Sequence, residues 1–445
     1  MRVSVIGAGY VGLVTGLGLA EMGHAVVCVD LDERKVAAIS QGDPPIFEAG
    51  LEGLLRRNLG TRFTATTDLE GAVAASELTF ICVGTPSRED GSIDVSHIVR
   101  AAEQIGVVLA SMEKFHAVVV KSTVVPGTTD GAVIPTLERA SGKRASEDFG
   151  VGVNPEFLTE GQAVDDFLRP DRIVIGGDER TVAALRQLYA GFAGVPVVAT
   201  NSSTAEMIKY ASNAMLATAI SFANEIANLC STIGDIDVVE VMRGLHLSRY
   251  LTSPAGDSRS VIAPLTSYLE AGCGYGGSCL PKDLAALTAR GREVGSPMLL
   301  LESVARVNQR QPARLVDLLR RELGRLEGRR VAVLGLAFKP DTDDVRFSPA
   351  FPVIRLLLDA GMEVAAHDPV VGPEALDRFG DAPVLHLGDL VAAIKGAEAV
   401  VIVTRWDHYH RLPELIADLD PSPLVVDGRR MLDKWSVPRY TGIGL

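Results

Sequence analysis

The sequence predicts an α/β protein: two Rossmann-like, doubly wound parallel-sheet domains joined by a long central helix and a helical domain. Two observations predict it. Short β-branched runs alternate with amphipathic stretches over residues 1–200 and again after Arg330, and near-continuous apolar strands between helices mean a parallel sheet covered on both faces. From about Ser203 to Arg330 the strand signal is missing. The expected domains are therefore 1–200, 201–311 and 312–445.

The expected strands of the first domain are residues 3–6, 25–29, 78–83, 117–121, 151–153, 172–175 and 196–199. Helices over 11–22, 33–39, 95–109 and 181–189 separate them. Ser203-Thr204-Ala205-Glu206 has the pattern of a capping box and opens a helix expected to reach Ile233. The stretch 245–264, with its Ser, Pro and Gly, reads as irregular. In the last domain, strands over 330–334, 363–366, 399–403 and 424–426 alternate with helices such as 351–360 and 390–394.

A net charge of −13 argues against nucleic-acid or membrane-surface binding, which needs a basic surface, but leaves room for a small anionic ligand. The five cysteines form no CxxC pair, so a disulfide scaffold or zinc ribbon is not expected. Cys28, Cys82 and Cys230 fall in apolar runs and read as core. His408 and His410 have no evident third ligand, so no metal is expected. A strand begins at once after Met1 with no charged leader and apolar signal core, and no apolar run approaches the ~20 residues of a bilayer span. The expectation is a cytoplasmic protein.

Gly7-Ala8-Gly9-Tyr10-Val11-Gly12 follows a strand and opens a helix. There, glycines permit a tight turn and close approach of a pyrophosphate to the helix N-terminus. The second strand ends at Asp30, placed to bond ribose hydroxyls and to repel a 2′-phosphate, which favours NAD over NADP. Lys35 flanks the same ribose position. Thr85 and Thr123 leave the carboxyl ends of later strands, where open α/β sheets bind ligands; ordinary strand-exit capping explains them equally well.

The densest chemical signal is Gly272-Cys273-Gly274-Tyr275-Gly276-Gly277-Ser278-Cys279-Leu280-Pro281-Lys282-Asp283. A glycine-rich loop runs into a helix with proline in its first turn. Cys279 is thereby expected at a helix N-terminus, where the dipole and Lys282 favour the thiolate, while Cys273 reads as structural. On the long helix, Glu206, Lys209 and Asn213 fall at i, i+3 and i+7 on one face. Lysine and asparagine one turn apart can donate to one oxyanion; a solvated polar stripe is the alternative. Glu156 and Glu160 follow a strand exit and suit acid–base work. Lys339 and Arg346, after the first strand of the last domain, supply cations for phosphates.

These residues together resemble the UDP-glucose/GDP-mannose dehydrogenase family. The resemblance covers essentially the whole chain and rests on residues 7–12, 83–86, 121–123, 154–161, the Lys209/Asn213 helix, 274–283 and 338–346 in the family's order. It implies a four-electron oxidation at C6 of a nucleotide-sugar. An aldehyde is captured by Cys279 as a thiohemiacetal, oxidised to a thioester and hydrolysed, with two NADH per turnover. By matching position, Thr123, Glu156, Lys209, Asn213 and Asp283 complete the catalytic set. Gly7, Gly9, Tyr10, Val11, Gly12, Asp30, Lys35, Thr85, Thr123, Glu160, Lys282 and Arg346 match NAD positions. Glu156, Phe157, Leu158, Glu160, Lys209, Asn213, Tyr268, Gly272, Gly276 and Lys339 match substrate positions. The family dimerises through the central helix, so a homodimer is implied, with a partner-subunit arginine expected from the 249–268 stretch. That stretch is longer than usual; Arg259 is the candidate, with Arg249 the alternative.

Within the family, Gly161-Gln162-Ala163-Val164-Asp165-Asp166-Phe167-Leu168-Arg169-Pro170 resembles enzymes of UDP-glucose more than those of GDP-mannose, which are the runner-up. Ser278, where enzymes of N-acetylated UDP-mannosamine usually carry histidine, disfavours those. β-Hydroxyacid dehydrogenases share the Rossmann–helix plan but need neither the Cys279 loop nor a second α/β domain. A non-catalytic nucleotide sensor would have no use for Cys279 beside Lys282 and Asp283.

Overall fold

The computed structural model describes residues 1–255 and 259–445, and side chains other than those of 254–260. The side chain of Arg259, one of the two arginines expected to reach a partner, lies outside that description. The chain divides into two compact units, Met1–Ser212 and Asn213–Leu445.

The first unit is built on β1 (Arg2–Ile6), β2 (Ala25–Val29), β3 (Phe63–Thr66), β4 (Leu78–Ile81), β5 (Ala117–Val120), β6 (Gly150–Val153), β7 (Ile173–Gly177) and β8 (Val197–Thr200). Among the described residues these form one sheet in the order β3-β2-β1-β4-β5-β6-β7-β8. The first six reproduce the doubly wound dinucleotide order, which brings the ends of β1, β4, β5 and β6 to one rim. Val, Ile and Phe bury β1, β4 and β5 on both faces, as continuous apolar runs require. One pair departs from the parallel pattern: β7 runs antiparallel to β6, with Val153 opposite Gly176. After β6 the chain crosses the rim, and its helix Ala163–Leu168 packs on the first helix, Tyr10–Glu21. There the Phe167 ring fills the space a Cβ at Gly18 would occupy, 2.1 Å away. The chain then re-enters the sheet from the rim side.

Aspartate caps begin many of the helices. Asp32, Asp68, Asp178, Asp237 and Asp389 each accept the N–H of a first-turn residue. Such a cap contributes about 1 kcal/mol and fixes where a helix starts.

The division between the units falls inside the helix Ser202–Ile233. Its cap is Asn201, whose Oδ1 accepts the Thr204 N–H at 2.8 Å. The expected capping box does not form, because Glu206 turns into the first unit instead. A helix, Val238–His246, leads into the stretch 245–264 expected to be irregular, which holds an antiparallel pair, β9 (Thr252–Ala255) and β10 (Arg259–Ile262). Helices Leu280–Glu293 and Leu299–Leu323 follow.

The second unit's sheet contains β11 (Arg330–Leu334), β12 (Glu363–His367), β13 (Val384–His386), β14 (Ala399–Ile402), β15 (Leu424–Asp427) and β16 (Tyr440–Gly442). Among the described residues it is parallel throughout, in the order β13-β12-β11-β14-β15-β16, again the dinucleotide pattern. Among the described residues no helix is long and apolar enough to cross a membrane.

Candidate active site

In the first unit the glycine turn between β1 and the helix Tyr10–Glu21 has the shape a dinucleotide requires. Gly7 lies at φ +107°, and a Cβ at Gly12 would stand 1.8 Å from the Gly7 carbonyl oxygen. Among the described residues a Cβ at Gly9 would meet nothing within 4 Å, leaving the approach to the helix N-terminus open, and Gly9, the N-cap residue, has no side chain to cap that end. Asp30 is anchored by the Ala8 N–H at 2.8 Å and the Asp32 N–H at 3.0 Å, and Lys35 Nζ lies 3.8 Å from its Oδ2. These residues fit NAD: open backbone for the pyrophosphate, a held carboxylate for the ribose.

The turn is also tied to the rim. The buried Glu48 carboxylate accepts the Tyr10 hydroxyl, the Gly161 N–H at 2.7 Å and the Ala163 N–H at 2.8 Å. Tyr10 thus braces the loop that carries Phe157, Leu158 and Glu160. Val11 follows it in the helix, partly exposed. Glu48 had no signal in the sequence beyond an acidic residue in a proline-rich loop. Nearby, the Thr85 hydroxyl donates to the Thr123 carbonyl at 3.1 Å, joining the ends of β4 and β5.

Beyond β6, Glu156 is buried and its Oε1 lies 3.0 Å from Lys209 Nζ, itself only 4% exposed. Its other oxygen accepts the Leu158 N–H at 2.6 Å. Burial pushes the Glu156 carboxyl up, but Lys209, the Leu158 N–H and Lys121 outweigh it and hold the group below its ordinary value. The Phe157 ring lies between cations, with the Arg172 guanidinium 3.9 Å and Lys209 Nζ 5.5 Å from its centroid.

Glu206 takes no part in this cluster, although it shares the helix face. Its two oxygens accept the N–H groups of Gly127 (2.6 Å) and Thr129 (2.9 Å), and burial raises its carboxyl to about 7. It holds the loop after Thr123.

In the second unit, Cys279 is the N-cap residue of the helix Leu280–Glu293, with Pro281 in the first turn. Among the described residues it is exposed, whereas the other four cysteines are buried. The Asp283 N–H closes the first turn onto the Cys279 carbonyl at 2.8 Å. The Asp283 carboxylate, 2% exposed, accepts Asn213 Nδ2 at 2.6 Å and pairs with Lys282 Nζ at 2.6 Å. Lys209 and Asn213, a turn apart on one helix, therefore each engage a separate carboxylate, Glu156 and Asp283.

The glycine run before Cys279 is pinned along its length. Gly272 donates its N–H to Asn224 Oδ1 (2.7 Å), and Tyr275 exchanges N–H and C=O bonds with the Asn308 amide (2.8 and 3.0 Å). Arg429 Nη1 donates to the Gly274 carbonyl at 3.0 Å. A Cβ at Gly276 would stand 2.3 Å from the Phe347 carbonyl oxygen, so only glycine fits there. The Gly277 N–H reaches the Arg346 carbonyl at 2.8 Å, which sets the loop bearing Lys339 and Arg346 against this run. The Arg346 guanidinium lies on Asp344, 2.7 Å away. Tyr268 ends the 3-10 turn Pro264–Tyr268. Asn224, Asn308 and Arg429 were not anticipated; their partners are distant in sequence.

The second sheet repeats the first turn's geometry without its opening. Gly335 lies at φ +98° and donates to the His367 carbonyl at 2.8 Å, as Gly7 does to Val29 at 2.7 Å. The aspartate after β12, Asp368, is buried and accepts the N–H groups of Leu336, Ala337, Val370 and Val371 and of the Trp406 indole. Its oxygens are taken up by the protein, so this turn does not offer a ribose the partner that Asp30 offers.

With this geometry in view, comparison with known proteins is decisive. Family models described as the NAD binding, central and UDP binding domains of the UDP-glucose/GDP-mannose dehydrogenase family match residues 1–193, 203–310 and 332–434. A UDP-glucose 6-dehydrogenase of Haloferax volcanii is 43% identical over 440 residues, covering 98% of each chain. One from Pseudomonas aeruginosa is 43% identical over 444 residues, covering 97% of this chain and 94% of its own. The chain belongs to the UDP-glucose/GDP-mannose dehydrogenase family. It is an NAD-dependent nucleotide-sugar dehydrogenase. The solved UDP-glucose dehydrogenase of Pyrobaculum islandicum superposes with a TM-score of 0.89 at 41% identity, covering 99% of this chain and 97% of that one.

Proposed function

We propose that this chain oxidises C6 of UDP-glucose to the carboxylate of UDP-glucuronate through a covalent intermediate on Cys279. The observation that carries this is the exposed thiol at a helix N-terminus, beside the buried Asn213–Asp283 pair and the half-buried Lys282. The identity to UDP-glucose 6-dehydrogenases supports the choice of sugar.

Gly7, Gly9, Tyr10, Val11, Gly12, Asp30, Lys35, Thr85, Thr123, Glu160, Lys282 and Arg346 would hold NAD, which when bound would supply the hydride acceptor for each of two oxidations at C6. In the first oxidation the C6 hydroxyl gives up its proton to a base, with Glu156 or its water in that role. The Cys279 thiolate then adds to the aldehyde carbon and the carbonyl oxygen takes a proton. Lys209 and Asn213 donate to that oxygen as its negative charge develops. After the second oxidation, water activated by Asp283 or Glu156 attacks the thioester, the C–S bond breaks and the thiol returns. Phe157, Leu158, Glu160, Tyr268, Gly272, Gly276 and Lys339 bind the nucleotide-sugar.

On the same proposal, residues 1–200 bind NAD, 201–311 dimerise and carry the cysteine loop, and 312–445 bind the UDP-sugar. Met215, Phe222 and Leu229 recur every seven residues as exposed apolar side chains on the helix Ser202–Ile233, a seam that suits a homodimer. A cytoplasmic setting keeps the Cys279 thiol reduced.

The test is NADH formation with UDP-glucose, GDP-mannose and UDP-N-acetylmannosamine. UDP-glucose should lead in kcat/KM by at least ~100-fold, the discrimination a site built for one set of hydroxyls supplies. Preference for GDP-mannose would overturn the assignment.

A further inference from the structure

Lys121 directly follows β5, two residues before Thr123, and is 4% exposed, yet none of the steps above uses it. A buried ammonium is costly unless paired, and this one is bonded to an amide. Its Nζ donates to Asn154 Oδ1 at 3.0 Å and to the Asn154 carbonyl at 3.4 Å. Asn154 is fixed from three further sides. Its Nδ2 donates to the Val174 carbonyl at 2.8 Å, its N–H to the Val120 carbonyl at 2.9 Å, and the Tyr189 hydroxyl donates to its Oδ1 at 2.6 Å. Two residues on stands Glu156.

The titratable groups around Lys121 are Cys82 at the end of β4, Tyr189 after the helix Glu179–Leu188, Glu156, and Lys209 on the long helix. Burial pushes the Cys82 thiol up to about 12 and the Tyr189 phenol well above its usual value, so both are neutral. Glu156 is then the anion on which the Lys121 charge acts.

We propose that Lys121 is a positioning residue for Glu156: through Asn154 it fixes the turn carrying that carboxylate, and its charge joins Lys209 in keeping the carboxylate ionised. The catalytic consequence rests on the role assigned to Glu156 above; the coupling itself does not. Burial lowers Lys121 to about 8, so it is still charged at neutral pH.

The experiment follows the Glu156 carboxyl by carbon-13 NMR in glutamate-labelled enzyme, with Glu156→Gln identifying its signal. In Lys121→Met its midpoint should rise by about one pH unit, the scale of removing a nearby opposite charge, and Lys121→Arg should restore it. The acidic limb of kcat should move with it. An unmoved Glu156 midpoint in folded Lys121→Met overturns the proposal. A moved midpoint with an unmoved kcat limb sustains the coupling and overturns the catalytic role of Glu156. Should Lys121→Met not fold, the Glu156 carboxyl signal of the unmodified enzyme decides: it should show a second inflection that coincides with the loss of the Lys121 proton, the latter followed by lysine Cε labelling. A Glu156 signal unmoved as Lys121 titrates overturns the proposal.

Discussion

Glu206, on the helix Ser202–Ile233, and Glu156, paired with Lys209 of that helix, are both buried carboxylates, and their partners send them in opposite directions. Glu156 faces an ammonium and stays ionised; Glu206 faces two backbone N–H groups, which do not offset its burial, and its carboxyl rises to about 7. The consequence for stability has a definite sign. Between the unfolded value of 4.5 and the folded value of about 7, the unfolded chain has lost its proton while the folded chain keeps it. Folding stability attributable to Glu206 therefore falls as pH rises through that window, by on the order of 3 kcal/mol in all. Glu206→Gln lacks this slope. Measured by urea unfolding, its stability relative to the parent should improve by about 2–3 kcal/mol from pH 4.5 to 8. A difference that does not change with pH would contradict this account of the site. The sequence placed Glu206, Lys209 and Asn213 on one face but could not say which partner each meets. Lys121, Glu48, Asn224 and Asn308 were illegible for the same reason: their bonds join positions that only the folded chain brings together.

The glycine-rich elements show how much a local pattern can carry. Both Gly7-Ala8-Gly9-Tyr10-Val11-Gly12 and the run before Cys279 were readable as backbone turns leading into helices, and both are. Their glycines serve different ends. Gly9 has open space where a side chain would go, whereas Gly276 has the Phe347 backbone there. Gly9→Ala should leave thermal stability unchanged and raise KM for NAD at least ~10-fold, as the new methyl takes the pyrophosphate's approach. Gly276→Ala should cost about 1–3 kcal/mol of stability by displacing packed backbone. The reverse pattern in melting and kinetics would mean that Gly9 is structural. Among the elements themselves, buried β-branched strands announced their positions to within a few residues. The helix Leu299–Leu323 did not, because Pro312 lies inside it. The pair β9 and β10 was hidden by the Ser, Pro and Gly of its segment, and β3, β13 and β16 are only three or four residues long.

At the scale of the whole molecule, two sheets that share the order of six strands differ at the same turn. The first keeps Gly9 open and Asp30 at the rim; the second fills its turn and saturates Asp368. That difference agrees with the NAD binding domain matched over residues 1–193. The central claim is that Cys279 carries the substrate between two oxidations. It is tested most directly by counting NADH and carboxylate per mole of nucleotide-sugar consumed, in the parent and in Cys279→Ala. The parent should give two NADH and one carboxylate with no free aldehyde. Cys279→Ala should form no acid, because nothing then holds the aldehyde for the second hydride transfer. A ratio of one NADH, or undiminished acid production without Cys279, would contradict the covalent route.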